Sequence, residues 1–343
     1  MTINNPFEHS RLAPLCFDAI AAAGHDLDAF LRRLGMNADS IQLVGTTHTV
    51  REIDDFWRSL EAFTKDADIG LSIGQHLHVC KGEVFDYLYL SAESFGQALE
   101  RSLMFMRLLS DDLHWSIERV PSGVWVQASA QDEALNDVRH FFECLFLGIA
   151  RFWRGVSDEQ VGPALLEFTA ESPLNIQQRE AMFGCPAQYG CAANRLFIPA
   201  DLLSCPGLYQ NPALFSVHEQ YARQLMQRLD EHAFLCGART VITELLQFGE
   251  VNLEVASRRL GLSSSNLKLK LHRLGTHFLR EREQCRWNLV NQMLSRSDQS
   301  ITEIAWRAGF SEPSTFYRAF KRWSNGKTPA DFRAKYREAS CMF

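Results

Sequence analysis

The sequence predicts a mixed α+β N-terminal domain followed by an all-α C-terminal domain, in which a long helix joins two helix-turn-helix units. Three observations lead to this prediction: the hydrophobic spacing changes from helical to alternating and back, a short pattern near the C-terminus occurs twice, and charge divides unevenly between the two parts. The 343 residues suffice for two domains of ordinary globular composition. We expect these domains at residues 1–232 and 238–343.

Helical spacing dominates the first hundred residues. One predicted helix carries apolar side chains three or four positions apart, at Ile53, Trp57, Leu60 and Phe63. A second predicted helix has Ser94 as its N-cap and continues to Leu109, because a serine oxygen can accept a hydrogen bond from an amide of the first turn. The first part of the N-terminal domain should therefore be helical.

The spacing changes after Asp112. Leu113, Trp115 and Ile117 alternate with polar residues, and a turn signal and a second apolar run follow at residues 121–126, which predicts a β-hairpin. Two further short strands are predicted, at Leu165–Thr169 and Arg195–Ile198. These segments give the N-terminal domain its β content.

Three more helices are predicted in this domain, at His140–Arg154, Asn175–Met182 and Asn211–Glu231. The apolar run Phe141–Trp153 is interrupted by charge and is shorter than the ~20 residues of a membrane span, so we expect it to be buried in the protein. One side of Asn211–Glu231 either forms a dimer interface or packs on its own domain; it carries Phe215, His218, Tyr221, Ala222, Leu225 and Leu229. A short connection around Ala233–Ala238 should follow.

A seven-residue pattern occurs twice in the C-terminal part, 48 positions apart. Its members are Leu253, Ala256, Ser257, Leu260, Gly261, Leu262 and Ser263, and then Ile301, Ile304, Ala305, Ala308, Gly309, Phe310 and Ser311. Two helices that cross closely need a small side chain at the crossing and a glycine at the turn. The crossing positions are then Ser257 and Ala305, and the turn positions are Gly261 and Gly309. The pattern thus predicts two helix-turn-helix units.

Local helix-start signals agree with this repeat. Ser300 and Glu303 have the spacing of a capping box for the first helix of the second unit. Thr328, Pro329 and Asp331 supply an N-cap, a proline at the first helical position and an acid in the first turn of the last helix.

The second helix of each unit has a computable outward face. Leu267 with Leu271, and Phe316 with Phe320, are apolar anchors four residues apart, so the opposite side of each helix should face solvent. Candidate base-reading residues on or beside these faces are Ser265, Asn266, Lys268, Leu269, Ser314, Thr315, Tyr317 and Arg318, with His272 nearby. Candidate phosphate-contacting residues are Lys270, Arg273, Lys321, Arg322 and Lys327. Such faces suit the major groove of DNA, where arginine reads guanine and asparagine reads adenine.

The predicted helix between the units, Thr276–Leu294, has the length needed to place both outward faces on one side of a duplex. Its 19 residues would span about 28 Å at ~1.5 Å per residue. With the width of the flanking helices added, this suits one DNA turn of about 34 Å.

Charge separates the two parts of the chain. From Ala238 to the C-terminus there are 18 Lys and Arg against 10 Asp and Glu, a net +8, so the preceding residues carry 17 against 31, a net −14. A cationic part attached to an anionic one is expected when only one of them meets phosphates.

The C-terminal hundred residues resemble the DNA-binding domain of the AraC/XylS family of bacterial transcription regulators. The resemblance rests on Ser300–Ala305, Ala308–Glu312, Phe316–Trp323 and Thr328–Arg333. Three positions depart from the family pattern: Ser257 stands in place of the usual alanine, Leu269 in place of a polar residue, and Asn325 is one residue more than usual. The first two departures concern the base preference of the first unit and leave the fold unaffected.

Residues 12–229 more loosely resemble the arabinose-binding-type N-terminal domain of a subgroup of that family, through Ala67–Gly74, Phe95–Leu99 and Met182–Pro186. The combined resemblance implies a homodimeric, cytoplasmic regulator. Its partners would be double-stranded promoter DNA, RNA polymerase and a small-molecule effector, without cofactor, metal or membrane. The effector-binding residues are unknown from the sequence. We expect an activator, although the residues themselves do not decide between activation and repression.

Some motifs suggest other functions, namely a hydrolase, a zinc site or an architectural DNA-binding protein. Gly70–Gly74 matches the Gly-x-Ser-x-Gly elbow of hydrolases with Ser72 as nucleophile, but the buried strand that the elbow requires is missing before it. His76, His78 and Cys80 alternate like one face of a strand without a fourth zinc ligand. A non-specific architectural DNA-binding protein would use minor-groove wedges in place of two major-groove helices. We therefore expect no enzymatic activity.

Nine scattered cysteines without a Cys-x-x-Cys pair are typical of reduced thiols. The first eleven residues lack the basic start and apolar run of a secretory signal, which favours an intracellular protein.

Overall fold

The computed structural model describes residues 12–34, 50–80, 83–130, 132–247, 249 and 251–340. The chain forms two compact units, one ending at Leu229 and the other beginning at Asp230. The expectation about a signal at residues 1–11 lies outside the described residues. Within the described part, no helix combines the length and the apolar character that crossing a membrane requires.

The first unit is largely helical. Its helices are α1 (Leu12–Ala22), α2 (Leu27–Arg33), α3 (Val50–Thr64), α4 (Ile69–Gly74), α5 (Val84–Ser91), α6 (Phe95–Leu103), α7 (Arg139–Val156), α8 (Ile176–Phe183) and the first part of α9 (Pro212–Gln247). The predicted cap is confirmed, because the Oγ of Ser94 accepts a hydrogen bond from the amide of Gln97 at 3.2 Å. The helix that it starts ends at Leu103, and a separate 3₁₀ turn follows at Met106–Leu108, so the predicted continuation to Leu109 is wrong.

A five-stranded sheet completes the first unit. Its strands are β1 (Leu113–Val120), β2 (Gly123–Ala130), β3 (Leu165–Glu167), β4 (Ala187–Gln188) and β5 (Asn194–Pro199), in the spatial order β1-β2-β5-β3-β4. The predicted hairpin is confirmed, with Val120 opposite Gly123. Among the strands that the structure describes, only β3 and β4 pair in parallel. The backbone of Gly123 has φ +156°, and an added Cβ would lie 2.1 Å from the carbonyl oxygen of Ile198, so this position requires glycine.

Two glycines allow α4 to lie directly on α7. A Cβ on Gly70 would lie 2.6 Å from the carbonyl oxygen of His140, and one on Gly74 would lie 2.9 Å from that of Cys144. Ser72, between them, is in mid-helix, and its hydroxyl donates to Asp66 at 2.5 Å. The Gly-x-Ser-x-Gly segment is thus a helix-packing motif, and the strand-turn-helix context of a nucleophile elbow is absent there.

A buried charged cluster ties α7 to its neighbours. The carboxylate of Glu143 is fully buried, and accepts hydrogen bonds from Arg179 at 3.0 Å and from the Tyr189 hydroxyl at 2.8 Å. Burial raises the pKa of Glu143, and the Arg139 and Arg179 guanidiniums oppose that rise. A buried carboxylate of this kind persists only where donors surround it.

His140 occupies a second polar position on α7. Its Nδ1 lies 3.3 Å from the amide of Gly70, which donates to it, and its Nε2 lies 3.1 Å from the carboxylate of Glu61. Both bonds are satisfied by a neutral imidazole that carries its proton on Nε2. Burial lowers the pKa of His140, in agreement with this neutral form.

The predicted connection at Ala233–Ala238 is wrong, because α9 is one helix of 36 residues from Pro212 to Gln247. In the first unit, α9 buries most of the apolar side predicted from the sequence: Phe215, Ala222, Leu225 and Leu229 are at most 8% exposed, whereas Tyr221 is 49% exposed. In the second unit, it contributes Ile242, Leu245 and Leu246 to a separate core.

The second unit is helical throughout its described residues. Its further helices are α10 (Leu253–Arg259), α11 (Ser264–Arg273), α12 (Phe278–Arg296), α13 (Ile301–Arg307), α14 (Pro313–Trp323) and α15 (Pro329–Ser340). They surround two small cores, one around Leu267 and Leu271 and one around Phe316 and Phe320. The repeated pattern is therefore a repeated structure.

Candidate nucleic-acid interface

The first helix-turn-helix consists of α10 and α11. The side chain of Asn252 caps α10 by accepting from the amide of Val255 at 2.9 Å, and Ser263 caps α11 by accepting from the amide of Asn266 at 3.2 Å. Gly261, in the turn between them, has φ +66°, a left-handed conformation that favours glycine. Local sequence signals thus set where both helices begin.

Ser257, the departure at the helix crossing, is buried together with its hydroxyl bonds. Its Oγ lies 3.0 Å from the carbonyl oxygen of Glu254 and 3.1 Å from the Oγ of Ser264 at the start of α11. The hydroxyl that distinguishes serine from alanine is therefore satisfied, and links the two helices of the first unit.

The two faces of α11 differ sharply in exposure. Leu267 and Leu271 are at most 1% exposed, as predicted for the anchors. The predicted outward residues are all exposed: Ser265, Asn266, Lys268, Leu269 and His272. Leu269 is 50% exposed, so α11 presents an apolar side chain on an otherwise polar surface.

The second helix-turn-helix consists of α13 and α14. The predicted capping box is confirmed: the Oγ of Ser300 accepts from the Glu303 amide at 3.2 Å, while the Glu303 carboxylate accepts from the Ser300 amide at 2.7 Å. The hydrogen bond from the Ser300 amide lowers the pKa of Glu303. Gly309 forms the turn with φ +74°.

The helix α14 repeats the division seen in α11. Phe316 and Phe320 are fully buried, and the predicted readers Ser314, Thr315, Tyr317 and Arg318 are all exposed. Thr328 and Asp331 exchange hydrogen bonds at the start of α15, as predicted. The structure therefore places the eight candidate readers on the exposed sides of two equivalent helices.

Two of the predicted phosphate-contacting residues have partners within the protein. The Nζ of Lys270 lies 4.5 Å from the ring centroid of Phe234, and an Nη of Arg322 lies 2.9 Å from an Oε of Glu283. Arg322 is still 69% exposed. The other three, Arg273, Lys321 and Lys327, are also exposed.

Arg286 of α12 holds the turn of the second unit, a role that the sequence analysis missed. Its guanidinium donates to the carbonyl oxygen of Gly309 at 2.9 Å, lies 4.8 Å from the ring centroid of Phe310, and pairs with Glu283 at 3.2 Å. Burial lowers the pKa of Arg286, although an arginine stays charged. Because the bonded carbonyl lies 23 residues away, no local pattern indicates this contact.

The joining helix α12 runs from Phe278 to Arg296, with the predicted 19 residues but displaced by two positions. Its start is fixed by His277, whose Nδ1 accepts from the Arg280 amide at 3.2 Å. Buried Glu281 accepts from Thr276 at 2.5 Å and pairs with Arg239 of α9 at 2.7 Å. At ~1.5 Å per residue, α12 is about 28 Å long.

No metal centre accompanies this interface in the described residues, where no three His, Cys, Asp or Glu side chains are grouped to hold an ion. His76, His78 and Cys80 do not form the strand that their alternation suggested. They lie in the irregular segment after α4, with His78 exposed and Cys80 buried.

Comparisons with known proteins cover both units. Residues 24–207 match the family described as the arabinose-binding domain of AraC transcription regulators, and residues 256–335 match a helix-turn-helix domain family. The ornithine utilization regulator of Pseudomonas aeruginosa is 28% identical over 287 residues, which are 80% of this chain and 81% of that protein. The porin thermoregulatory protein EnvY of Escherichia coli is 36% identical over 87 residues, which are 25% of this chain and 34% of that protein.

Among solved structures, the transcriptional regulator CdpR from Pseudomonas aeruginosa aligns over 92% of this chain and 98% of its own, with 20% identity and a TM-score of 0.42. The match to the arabinose-binding domain family covers more than half of the 343 residues, and the helix-turn-helix match lies on the two structural repeats. The chain belongs to the AraC family of transcription regulators, with an arabinose-binding-type N-terminal domain and a helix-turn-helix DNA-binding domain.

Proposed function

We propose that this regulator reads promoter DNA with α11 and α14 in two successive major-groove segments of one duplex face. The main support is that both helices bury their apolar anchors and expose all eight candidate readers. The length of α12, about 28 Å, suits recognition helices one DNA turn apart. The DNA-binding domain would comprise residues 238–343, and residues 1–232 would sense an effector and dimerise.

The two recognition helices should contribute differently to sequence preference. On α14, Arg318 can donate two hydrogen bonds to one guanine edge, and Tyr317 is exposed beside it. On α11, Asn266 can pair with adenine, Lys268 can reach guanine acceptors, and Leu269 can pack on a thymine methyl group. Ser265, Ser314 and Thr315 complete the set of proposed readers. Lys270, Arg273, Lys321, Arg322 and Lys327 are proposed to contact phosphates, which position the protein without reading sequence.

The test compares two arginines of α14 on two DNAs. Fluorescence anisotropy would measure binding to a promoter fragment found by genome-wide mapping, and to a shuffled fragment of equal length. Arg318→Ala should weaken promoter binding by ~1–3 kcal/mol and relax base choice, whereas Arg322→Ala should weaken binding to both DNAs alike. An equal loss on both DNAs for both variants would refute the separation of roles. Equal affinity of the unaltered protein for both DNAs would favour an architectural protein.

A second copy of the chain is the proposed protein partner, through an exposed stripe on α9. Leu214, Val217 and Tyr221 are 47%, 58% and 49% exposed, and their spacing places them on one side of the helix. Most of the side predicted from the sequence is buried in its own unit and is not available for dimerisation, whereas its Tyr221 is exposed and belongs to this stripe. A contiguous exposed apolar patch can mark an interaction surface, which supports this stripe as the contact.

The dimer proposal is tested by sedimentation of the full chain at micromolar concentration. Val217→Lys should shift the protein towards monomer, because a lysine on each copy would be placed in the apolar contact. Ser216→Lys, on an exposed position of the same helix that faces away from this stripe, is the matched control and should remain dimeric. A monomeric unaltered protein would remove α9 as a dimer source.

The remaining proposed partners are a small-molecule effector and RNA polymerase. The effector proposal is supported by the match of residues 24–207 to a domain family described as arabinose-binding. The relative named for ornithine utilization raises an amino acid as one candidate. Transcription by purified polymerase, with and without this protein on the mapped promoter, would separate activation from repression.

A further inference from the structure

The first unit contains a cavity that is remote in sequence from every proposed DNA contact. Its volume is ≈ 560 Å³, within the roughly 300–1,000 Å³ of small-molecule sites. One wall is the C-terminal half of α7, from Gly148 to Val156, with Glu159 just beyond it. The other wall is formed by Leu77–Cys80 and by Asp86 and Leu90 of α5.

Two glycines shape the α7 wall in opposite ways. A Cβ on Gly148 would lie 2.8 Å from Val79 and 3.0 Å from Leu77, so the helix and the opposite wall touch there. A Cβ on Gly155 would meet no atom within 4 Å, although Gly155 is seven residues further along the same helix. Glycine inside a helix is less stable than alanine, and no described neighbour demands it at Gly155. Gly155 is exposed, so the space above it is open to solvent and accessible to a ligand that enters the cavity.

Most of the cavity lining is apolar. It includes Leu77, Val79, Leu90, Phe152 and Val156. The Cys80 thiol also contributes, because burial and the nearby Asp86 carboxylate raise its pKa and keep it neutral. A ligand here would place hydrocarbon against these side chains.

The lining also carries charges of both signs. Asp86 and Glu159 supply two carboxylates and Arg151 supplies a guanidinium, while the guanidinium of Arg154 is bonded to the Phe183 carbonyl. The backbone directs Glu159 back over the end of α7: Asp158 and Glu159 have φ of 52° and 62°, and the Glu159 amide donates to the Arg154 carbonyl at 2.8 Å. A ligand with one charge would meet groups of one sign only.

We propose that this cavity binds a small aminocarboxylate, in which a short aliphatic chain carries both an ammonium and a carboxylate group. The ammonium pairs with Asp86 or Glu159, the carboxylate pairs with Arg151, and the chain packs on Leu77, Val79 and Phe152. Bidentate geometry makes arginine well suited to hold a carboxylate. The assignment of this ligand as the effector rests on the proposed regulatory function. The binding of the ligand to the cavity does not rest on that function.

Isothermal titration of the full chain with four six-carbon probes tests the charge requirement. 6-Aminohexanoate and L-norleucine carry both charges, and hexanoate and hexylamine each carry one. At least one of the first two should bind at least about tenfold more tightly than both of the others, which corresponds to about 1.4 kcal/mol. No heat from either doubly charged probe at about 10 mM, or equal binding of all four, would overturn the proposal.

Variants locate the binding to this cavity. Gly155→Leu should abolish the heat by filling the space above α7, and Arg151→Gln should reduce the preference for the doubly charged probe over hexylamine. Arg58→Gln is the matched control, because Arg58 lies on α3 with its side chain 74% exposed. Unchanged binding in Gly155→Leu would also overturn the assignment.

Thermal melting and DNA binding of each variant separate the two proposals. Retained DNA binding without probe binding would reject the cavity and leave the regulator intact. Probe binding that leaves promoter affinity unchanged would support the site and reject this ligand class as effector.

Discussion

Replacing Arg286 should destabilise the second helix-turn-helix and spare the first. Its guanidinium holds the Gly309 carbonyl at 2.9 Å and lies against Phe310, and the side chain is only 15% exposed. In Arg286→Ala, that turn carbonyl loses its donor, and the ring loses its cation. Gly309 lies in the turn between α13 and α14, so the packing of the proposed recognition helix depends on this contact.

The expected magnitude follows from these contacts. A hydrogen bond from a charged donor contributes about 1.5–3 kcal/mol, and a cation–π contact about 0.5–1 kcal/mol. The pair with partly exposed Glu283 adds little. The variant no longer carries the cost of burying a guanidinium, and this offsets part of the loss. The net loss of stability is about 2–3 kcal/mol. This amounts to roughly 30- to 150-fold in the opening equilibrium.

Hydrogen exchange of the full chain measures this directly, because it resolves local opening within each helix. Amides of α13 and α14 should lose protection by the predicted factor in Arg286→Ala, while those of α10 and α11 keep theirs. Arg280→Ala, at an exposed position of the same helix, is the matched control. Unchanged protection of α14, or an equal loss in both units, would refute the reasoning.

Three further predictions concern stability. Gly70→Ala should destabilise the first unit by about 1–3 kcal/mol in urea, because its Cβ would meet the His140 backbone, whereas Gly155→Ala should be neutral or stabilising. The pKa of His140 is lowered in the folded protein. Its contribution to the free energy of unfolding is therefore complete above the unfolded-state pKa of about 6.5, and is lost as the pH falls through the folded-state pKa. His140→Asn should therefore lose less stability than the unaltered chain between pH 7 and 5, and a steeper loss would contradict the neutral tautomer. Ser300→Ala should cost about 1 kcal/mol and speed amide exchange at the start of α13, with a null effect contradicting the capping box.

Local chemistry explains which parts of the fold the sequence could predict. Ser94, Ser300 and Thr328 act on amides three residues away, so the information for each helix start is contiguous. The turn glycines Gly261 and Gly309 are also local, because the left-handed backbone excludes most other residues.

The length of α9 could not be predicted in the same way. The boundary was placed by a change in charge, but residues 233–238 contain no proline, and their only glycine, Gly237, is tolerated within the helix. The charge of the side chains can change along the chain while the backbone continues as one helix. The two-residue strand β4 was missed because Ala187–Gln188 is too short to show alternation.

Candidate readers were predicted on exposed faces because helical periodicity needs only the buried anchors. The structure shows where they lie, and their roles in base reading stay predictions. Contacts between distant segments could not be predicted: the Lys270–Phe234 contact, the Arg322–Glu283 pair and the cavity beside Gly155 all depend on tertiary packing. For His76 and His78, the alternating pattern suggested a strand, but the structure has no strand at these residues.

The shared carboxylate of Glu283 has a kinetic consequence for the regulator on DNA. It lies 3.2 Å from Arg286 and 2.9 Å from Arg322, so one arginine braces the turn while the other is exposed towards solvent. If Arg322 contacts a phosphate, the carboxylate of Glu283 competes with that phosphate for the same guanidinium. We expect Glu283→Gln to lengthen the residence time on any DNA sequence, so this acid would govern how readily the protein lets go.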